Sequence, residues 1–154
     1  MNPMKLLSGT KTTQGSPVEQ KRKPIRVFDV MTTGILTLSA NDSFDGAIEL
    51  MAKHDYQYVI VTDDENKVIG VISQRDIVGS RWNISEWRSK RVRQGMRPNP
   101  VTVTFRTLLY DAVSTMITEK VNCLPVVRDN GELCGMLSST DIMKSHLALL
   151  GEME

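Results

Sequence analysis

An internal repeat constrains this chain more than any other feature of its sequence. Sliding the sequence against itself by 65 positions, without a gap, aligns identical residues along most of its length. The aligned pairs include Arg26/Arg91, Val27/Val92, Met31/Met96, Thr37/Thr102, Ala47/Ala112, Met51/Met116, Val61/Val126, Asp64/Asp129, Gly70/Gly135, Ser73/Ser138, Asp76/Asp141 and Ile77/Ile142. One unit of about 55 to 65 residues is therefore used twice. Because a unit of that size holds only a small core, we expect the two copies to pack on each other.

One repeated segment has the pattern Gly-x-x-Ser-x-x-Asp, at residues 70–76 and again at 135–141. It predicts a buried strand that turns into a helix, because serine and aspartate stand where helix N-caps occur. Backbone N–H groups at such a turn can receive a phosphate, and a nearby carboxylate can accept two hydrogen bonds from a ribose diol. For a single copy, helix capping would be the favoured explanation; the repetition favours a nucleotide contact.

Each unit is predicted to contain, in order, a strand, a helix, two strands and a second helix. Apolar residues of the first helix recur at i, i+3, i+4 and i+7 and so share one face: Phe44, Ala47, Ile48 and Met51, then Leu109, Ala112, Val113 and Met116. Residues 63–67 and the sequence Asp129-Asn130-Gly131 each predict a turn between two apolar strands. The last helix is predicted to begin near Ser139.

The order and doubled spacing of these motifs resemble a pair of CBS motifs (cystathionine β-synthase type), a Bateman module. The resemblance includes Val-Phe-Asp-Val-Met at 27–31, partly echoed at 92–96, and the strands predicted at 35–38, 100–103 and 124–127. It spans residues 26–148. It implies an α+β fold in which two β-α-β-β-α units pack with pseudo-two-fold symmetry. The implied domains are a flexible basic tail at 1–24, CBS motif 1 at 25–79, a basic connector at 80–91 and CBS motif 2 at 92–150.

The resemblance also implies two clefts, each joining the Asp-bearing segment of one unit to the first strand and pre-strand turn of the other. Cleft a would contain Ser73, Arg75, Asp76, Pro100, Val101, Asn122 and Cys123, and cleft b would contain Ile35, Leu36, Tyr56, Gln57, Tyr58, Ser138, Thr140 and Asp141. The aspartates would hold ribose hydroxyls, the serines and Thr140 would reach the phosphates, and apolar positions would sandwich the adenine. Arg75 is a candidate phosphate ligand, because a guanidinium can bind two phosphate oxygens; a solvent-facing arginine is the alternative.

The two clefts are expected to differ in openness. Tyr56, Gln57 and Tyr58 stand where smaller residues are common in the family, so they either fill part of cleft b or stack on the adenine. Cleft a is expected to be more open, and we rank it first.

The function implied is a regulatory module that senses an adenosine-containing ligand (AMP, ADP, ATP or S-adenosylmethionine) and acts on a partner protein. We expect no catalysis, required cofactor or metal site. The sequence has no Gly-x-Ser-x-Gly elbow, P-loop or His-Glu-x-x-His motif, and His54 and His146 lie far apart. Leu147, Leu149 and Leu150 exceed what a lone final helix hides, which favours an interface, and the resemblance implies that this interface forms a homodimer. A structural dimerisation module that binds no nucleotide is the first alternative.

Contact with nucleic acid is a second alternative. Residues 1–26 contain six basic residues and one acidic residue, and the connector places Trp82 and Trp87 among arginines and a lysine. We favour a solvated tail and tryptophans that dock the connector. Arginines that line the phosphate end of a cleft are a third option.

The sequence also bears on location and on the two cysteines. No apolar run is long enough to span a bilayer, and the N-terminus lacks the apolar segment of a signal peptide, so we expect a cytoplasmic protein without a membrane partner. Cys123 and Cys134 fall in one predicted hairpin, whose turn sets Cys134 opposite Val127 and not opposite Cys123. Both are expected to be buried, unpaired thiols.

Overall fold

The computed structural model describes residues 23–153, so the predicted tail lies almost entirely outside the described residues. The first repeat forms α1 (Val27–Val30), β1 (Thr37–Leu38), α2 (Phe44–His54), β2 (Tyr58–Thr62), β3 (Val68–Ser73) and α3 (Gln74–Val78). Two 3-10 helices, Ile84–Ser89 and Val92–Gln94, lead to β4 (Arg97–Pro98). The chain continues with β5 (Val103–Thr104), α4 (Leu109–Glu119), β6 (Cys123–Val127), β7 (Leu133–Ser138) and α5 (Ser139–Met153).

Two small mixed sheets repeat one pairing scheme. Strands β1, β2, β3 and β4 form the first sheet in that order, and β5, β6 and β7 form the second. In each, the first strand runs parallel to the second, which pairs antiparallel with the third. Tyr58 faces Ser73 in one hairpin, and Cys123 faces Ser138 in the other. The α+β fold of two pseudo-symmetric units is thereby confirmed.

Local sequence explains where the long helix of each unit lies. The Ser43 hydroxyl accepts a hydrogen bond of 3.0 Å from the Gly46 N–H, which caps the start of α2. Of the predicted apolar stripe of α2, Phe44, Ala47 and Met51 are buried in the core, and Ile48 is half-buried against it. Asp55 and Lys120 are the C-cap residues that follow α2 and α4, and they adopt the left-handed conformation with φ of 56° and 58°.

The predicted first strand of each unit is longer than the strand that forms. Only Thr37–Leu38 and Val103–Thr104 pair, because the residues before them leave the sheet. Ile35 instead packs between the units, and Val101 lines the cleft described below. Helix α1 was not predicted, because four residues are too few to show a helical period.

A β-bulge corrects the predicted register of the second hairpin. Val127 pairs with Leu133 and not with Cys134, because the register shifts between Val126 and Val127. Both thiols are unpaired, as predicted; Cys123 is also buried, as predicted, whereas Cys134 is only half-buried.

The opening segment of each repeat packs into the core of the other repeat. Val27 is fully buried in the core of the second repeat, and Val92 is fully buried in the core of the first. The Val27 N–H donates to the Thr107 carbonyl and the Val92 N–H donates to the Asp42 carbonyl, both at 2.8 Å. Each half of the molecule therefore contains residues from both repeats.

A third apolar cluster joins the two sheets. Ile60, Val71 and Leu133 are its buried members. At one end of this contact the turns of the two hairpins meet, since the Asn66 side-chain amide donates to the Leu133 carbonyl at 3.1 Å and the Lys67 ammonium to the Asn130 carbonyl at 2.8 Å. The other end of the contact is open and forms the candidate site.

Candidate ligand clefts

A cavity of about 830 Å³ lies between the repeats, within the range of volumes that small-molecule sites occupy. All seven residues assigned to cleft a lie in its wall: Ser73, Arg75, Asp76, Pro100, Val101, Asn122 and Cys123. The first three lie where β3 ends and α3 begins in the first repeat, and the others belong to the second repeat. We keep the name cleft a for this cavity.

Asp76 is held by its own turn and by an arginine of the other repeat. Its Oδ2 accepts the Ser73 N–H at 2.8 Å, while its own N–H donates to the Ser73 hydroxyl at 3.1 Å. This reciprocal capping box is the simple role that the sequence pattern already suggested. The second oxygen, Oδ1, lies 3.3 Å from Arg97 Nε and 3.2 Å from Arg97 Nη2. The carboxylate is therefore oriented into cleft a with a cation beside it.

Asp141 repeats this arrangement with a neutral partner. Its Oδ2 accepts the Ser138 N–H at 2.8 Å, and its own N–H donates to the Ser138 hydroxyl at 3.2 Å. Its Oδ1 accepts the Thr32 hydroxyl at 2.9 Å. Thr32 and Arg97 are separated by the repeat length of 65 residues and so occupy matching positions in the two repeats. The residue beside the aspartate is therefore a threonine at Asp141 and an arginine at Asp76.

The structure distributes the other residues assigned to cleft b among three places. Gln57 and Tyr58 line the cavity of cleft a, where the Tyr58 hydroxyl accepts a 3.3 Å hydrogen bond from the Asn122 amide. Tyr56 packs against the core of the first repeat and lies 5.6 Å from the His54 ring. Leu36 and Thr140 are exposed. Whether a ligand contacts them stays a prediction.

Cys123 is an unreactive part of the wall of cleft a. Burial, followed by the negative charge of Asp141, raises the pKa of its thiol to about 12. Burial also raises the pKa of Cys134, against an opposing effect of Arg128. Both thiols stay protonated at neutral pH, and protonated thiols are poor nucleophiles.

The tryptophans of the connector dock it onto the first repeat. The Trp82 ring lies edge-on to Phe44 at 5.7 Å, and Lys90 Nζ lies 4.9 Å from its centre. The Trp87 indole N–H donates to the Trp82 carbonyl at 3.3 Å. The two rings are thus engaged within the protein, which is the docking role we favoured.

From the sequence, Arg97 was predicted only as one of the connector arginines that could line the phosphate end of a cleft, Lys120 was not assigned to the wall of cleft a, and Thr32 was not assigned to Asp141. The sequence did contain a signal for Arg97 and Thr32, because the matched sequences Met31-Thr32 and Met96-Arg97 differ at the second residue. Within residues 23–153, no three His, Cys, Asp or Glu side chains are grouped so that they could hold a metal ion.

Two α+β units that exchange their opening segments and enclose a shared cleft define a tandem-repeat module. The chain belongs to the CBS domain family, whose model matches residues 27–82 and 90–147. The prediction of a tandem CBS pair is thereby confirmed.

Solved structures of similar proteins share the fold. AcuB, a putative acetoin utilization protein of Vibrio cholerae, is 27% identical, with a TM-score of 0.75 over 84% of this chain and 95% of its own. CBSX2 is a CBS-pair protein of Arabidopsis thaliana. Its structure in complex with AMP is 29% identical, with a TM-score of 0.72 over 81% of this chain and 98% of its own.

Similar sequences occur both at this length and within longer chains. An uncharacterized 17.7 kDa protein of Acidianus ambivalens is 29% identical over 122 residues, which are 79% of this chain and 73% of that protein. Several other curated relatives are longer, and this chain spans only 24% to 28% of three of them.

Proposed function

We propose that this chain is a regulatory module that binds an adenosine-containing ligand between its CBS motifs and transmits a conformational change to a partner protein. AMP, ADP, ATP and S-adenosylmethionine are the candidate ligands, and the module itself is not an enzyme. Cleft a carries the proposal, because its wall combines a fixed carboxylate and an arginine of one repeat with Pro100 and Val101 of the other.

The chemistry of cleft a suits a nucleoside phosphate. Asp76 is an oriented acceptor for ribose hydroxyls, Arg75 and Arg97 are donors for phosphate, and Pro100 and Val101 are apolar surfaces for a base. The AMP bound to CBSX2, at 29% identity, supports an adenine nucleotide as the ligand here.

A ligand in cleft a would touch both repeats at once. It would therefore favour one relative arrangement of the two units over others, and the populations shift by as much as its affinities for those arrangements differ. A partner that recognises one arrangement would respond to the ligand. The exchanged segments make this coupling direct, since α1 and β4 each link one repeat to the other.

A thermal-melting panel with AMP, ADP, ATP, S-adenosylmethionine, NAD and a guanine nucleotide tests the proposal. A ligand at about 100 times its dissociation constant adds roughly 2.7 kcal/mol, which should raise the melting midpoint by roughly 5 to 10 °C. Asp76→Ala should abolish the shift from binding in cleft a, while Asp64→Ala, in an exposed turn, is the matched control. A flat panel from folded, ligand-free protein would reject the proposal.

A structural dimerisation module is the second candidate function, and the last helix supports it. On α5, Met143 is 62% exposed and Leu147 is 69% exposed. Apolar residues on one exposed helix favour a protein interface, and we propose a second copy of this chain as its occupant. Sedimentation velocity of the unaltered protein and of Leu147→Glu tests this. A dimer that dissociates in Leu147→Glu supports the proposal. If the unaltered protein sediments as a monomer, the proposal is rejected.

Nucleic-acid binding is not favoured, because Trp82 is engaged by Phe44, Arg81 and Lys90, and the Trp87 indole N–H is engaged by the Trp82 carbonyl. None of the helices within residues 23–153 combines the length and apolar character that crossing a bilayer requires.

A further inference from the structure

The charged side chains that line cleft a have a positive balance. Arg75, Arg97 and Lys120 are positive and Asp76 is negative, which leaves a net charge of +2. Arg97 comes from the crossing strand β4, and Lys120 is the C-cap residue of α4. An anion entering this cavity meets cations from both repeats.

The repeat relates every wall position of cleft a to a position 65 residues away. Four of these counterparts line cleft a itself, namely Gln57, Tyr58, Asn122 and Cys123, and the other twelve are the positions from which we infer cleft b. The counterparts of Arg75, Asp76, Arg97, Lys120 and Gly79 are Thr140, Asp141, Thr32, Asp55 and Lys144. This set has two negative residues and one positive residue, and no other charged residue occupies a counterpart position, so its net charge is −1. The two clefts thus differ by three charges on one backbone plan.

Two observations show that Thr32 is structurally equivalent to Arg97 and that Asp55 is structurally equivalent to Lys120. The Thr32 hydroxyl contacts Asp141 Oδ1 where Arg97 contacts Asp76 Oδ1. Asp55 and Lys120 end their helices in the same left-handed conformation. The Asp141 charge also acts at Cys123, where it adds to burial in raising the thiol pKa.

We propose that cleft a selects adenosine ligands with several phosphates, whereas cleft b binds adenosine ligands in which the group attached to the adenosine carries no net negative charge. This inference rests on the proposed function and specifies the ligand class of each cleft. In cleft a, Arg97 exchanges the Asp76 carboxylate for a phosphate, since guanidinium binds both oxyanions in the same geometry. The exchange frees Asp76 Oδ1 to accept a ribose hydroxyl. In cleft b, Asp55 and Asp141 repel a phosphate chain.

Isothermal titration of the full chain with adenosine, AMP, ADP and ATP tests this. Affinity at cleft a should rise with phosphate number, by at least about tenfold from adenosine to ATP, because each charge-assisted contact is worth about that factor. Raising the salt concentration should weaken ATP binding more than adenosine binding. ATP should bind with a stoichiometry of one per chain.

Substitutions that copy one cleft into the other locate the effect. Arg97→Thr reproduces Thr32, whose hydroxyl still orients the aspartate, so adenosine binding should persist while the preference for ATP falls about tenfold. Arg75→Thr, which copies Thr140, gives an independent second variant. Thr32→Arg should add a second ATP site at cleft b. Arg88→Thr, an exposed connector residue outside the cavity wall, is the matched control.

The outcomes separate this inference from the proposed function. If no adenosine compound binds, both fail. If adenosine and ATP bind equally, or if the preference for ATP survives both Arg97→Thr and Arg75→Thr, the proposed function stands and the inference is wrong.

Discussion

Gly70 lies directly against Met96, where the exchanged strand β4 crosses the first hairpin. A Cβ atom at Gly70 would stand 2.5 Å from Met96 Sδ and 3.1 Å from the Arg97 carbonyl oxygen. At the equivalent crossing, a Cβ atom at Gly135 would stand 2.8 Å from Met31 Sδ and 2.9 Å from a carbonyl oxygen. The glycine of the Gly-x-x-Ser-x-x-Asp pattern therefore leaves room for the crossing segment of the other repeat, a role that is independent of any ligand.

Replacing these glycines should destabilise the protein. We expect Gly70→Ala and Gly135→Ala each to lower the free energy of unfolding by about 1 to 3 kcal/mol, which is typical of overpacking. Gly135→Ala should cost more, because a backbone carbonyl oxygen would lie 2.9 Å from the new Cβ atom there, whereas at Gly70 the backbone oxygen is 3.1 Å away and the closest atom belongs to a flexible methionine. Urea denaturation followed by circular dichroism measures both. Gly151→Ala, with open space around it, should not destabilise the protein; equal losses at all three sites would contradict this account.

Truncating the exchanged valines should destabilise the whole chain at once. Val27→Ala and Val92→Ala each remove a fully buried side chain, at a cost of about 2 kcal/mol. Because each valine belongs to the other repeat's core, either change should move a single cooperative unfolding transition. Calorimetry should show one peak at a lower midpoint. Ile84→Ala, at a side chain that is 72% exposed, is the control, and two separate peaks would argue against coupling.

Cys123 should make stability fall at high pH. Folding raises the pKa of its thiol from 9.0 to about 12, so the folded state retains a proton that the unfolded chain loses in this interval. The contribution is complete below pH 9 and declines above it, by about 1.4 kcal/mol per pH unit. The stability difference between the unaltered protein and Cys123→Ala, measured by urea denaturation under reducing conditions from pH 8 to 10.5, should shrink or reverse as pH rises. A constant difference would contradict the assigned pKa.

Removing Trp82 should affect folding and not nucleic-acid binding. Trp82→Ala loses the contact with Phe44 and with the cations around the ring, and we expect a cost of about 2 kcal/mol for this half-buried side chain. A single-stranded oligonucleotide should not quench tryptophan fluorescence at low salt, because the rings are already packed. Salt-sensitive quenching that disappears on neutralising Arg88, Lys90 and Arg91 would restore the nucleic-acid alternative.

Much of the fold could be predicted from local patterns. The spacing of Phe44, Ala47 and Met51 indicated one buried helical face, and the turn residues indicated both hairpins. Apolar spacing reports which side of an element is buried, because that property follows from backbone geometry alone. The same property cannot report the register shift at Val126, which depends on how the strands twist against each other.

The candidate site was predictable only in part. The seven residues assigned to cleft a were brought together on one cavity, but Gln57 and Tyr58 joined them there although they had been assigned to cleft b. Gln57 precedes β2 and Tyr58 is its first residue, and a sequence motif does not say which cleft a side chain at this point faces.

The sequence by itself determined that one unit is used twice, that each copy ends in a capped Ser-x-x-Asp turn, and that the family is CBS. Only the tertiary structure decided that Val27 and Val92 are buried in opposite cores and that Arg97 faces Asp76 across the repeats. The physical reason is that a repeat specifies two equivalent apolar surfaces without specifying which copy covers which. That choice depends on contacts between residues far apart in the chain, and it sets the charge of each cleft.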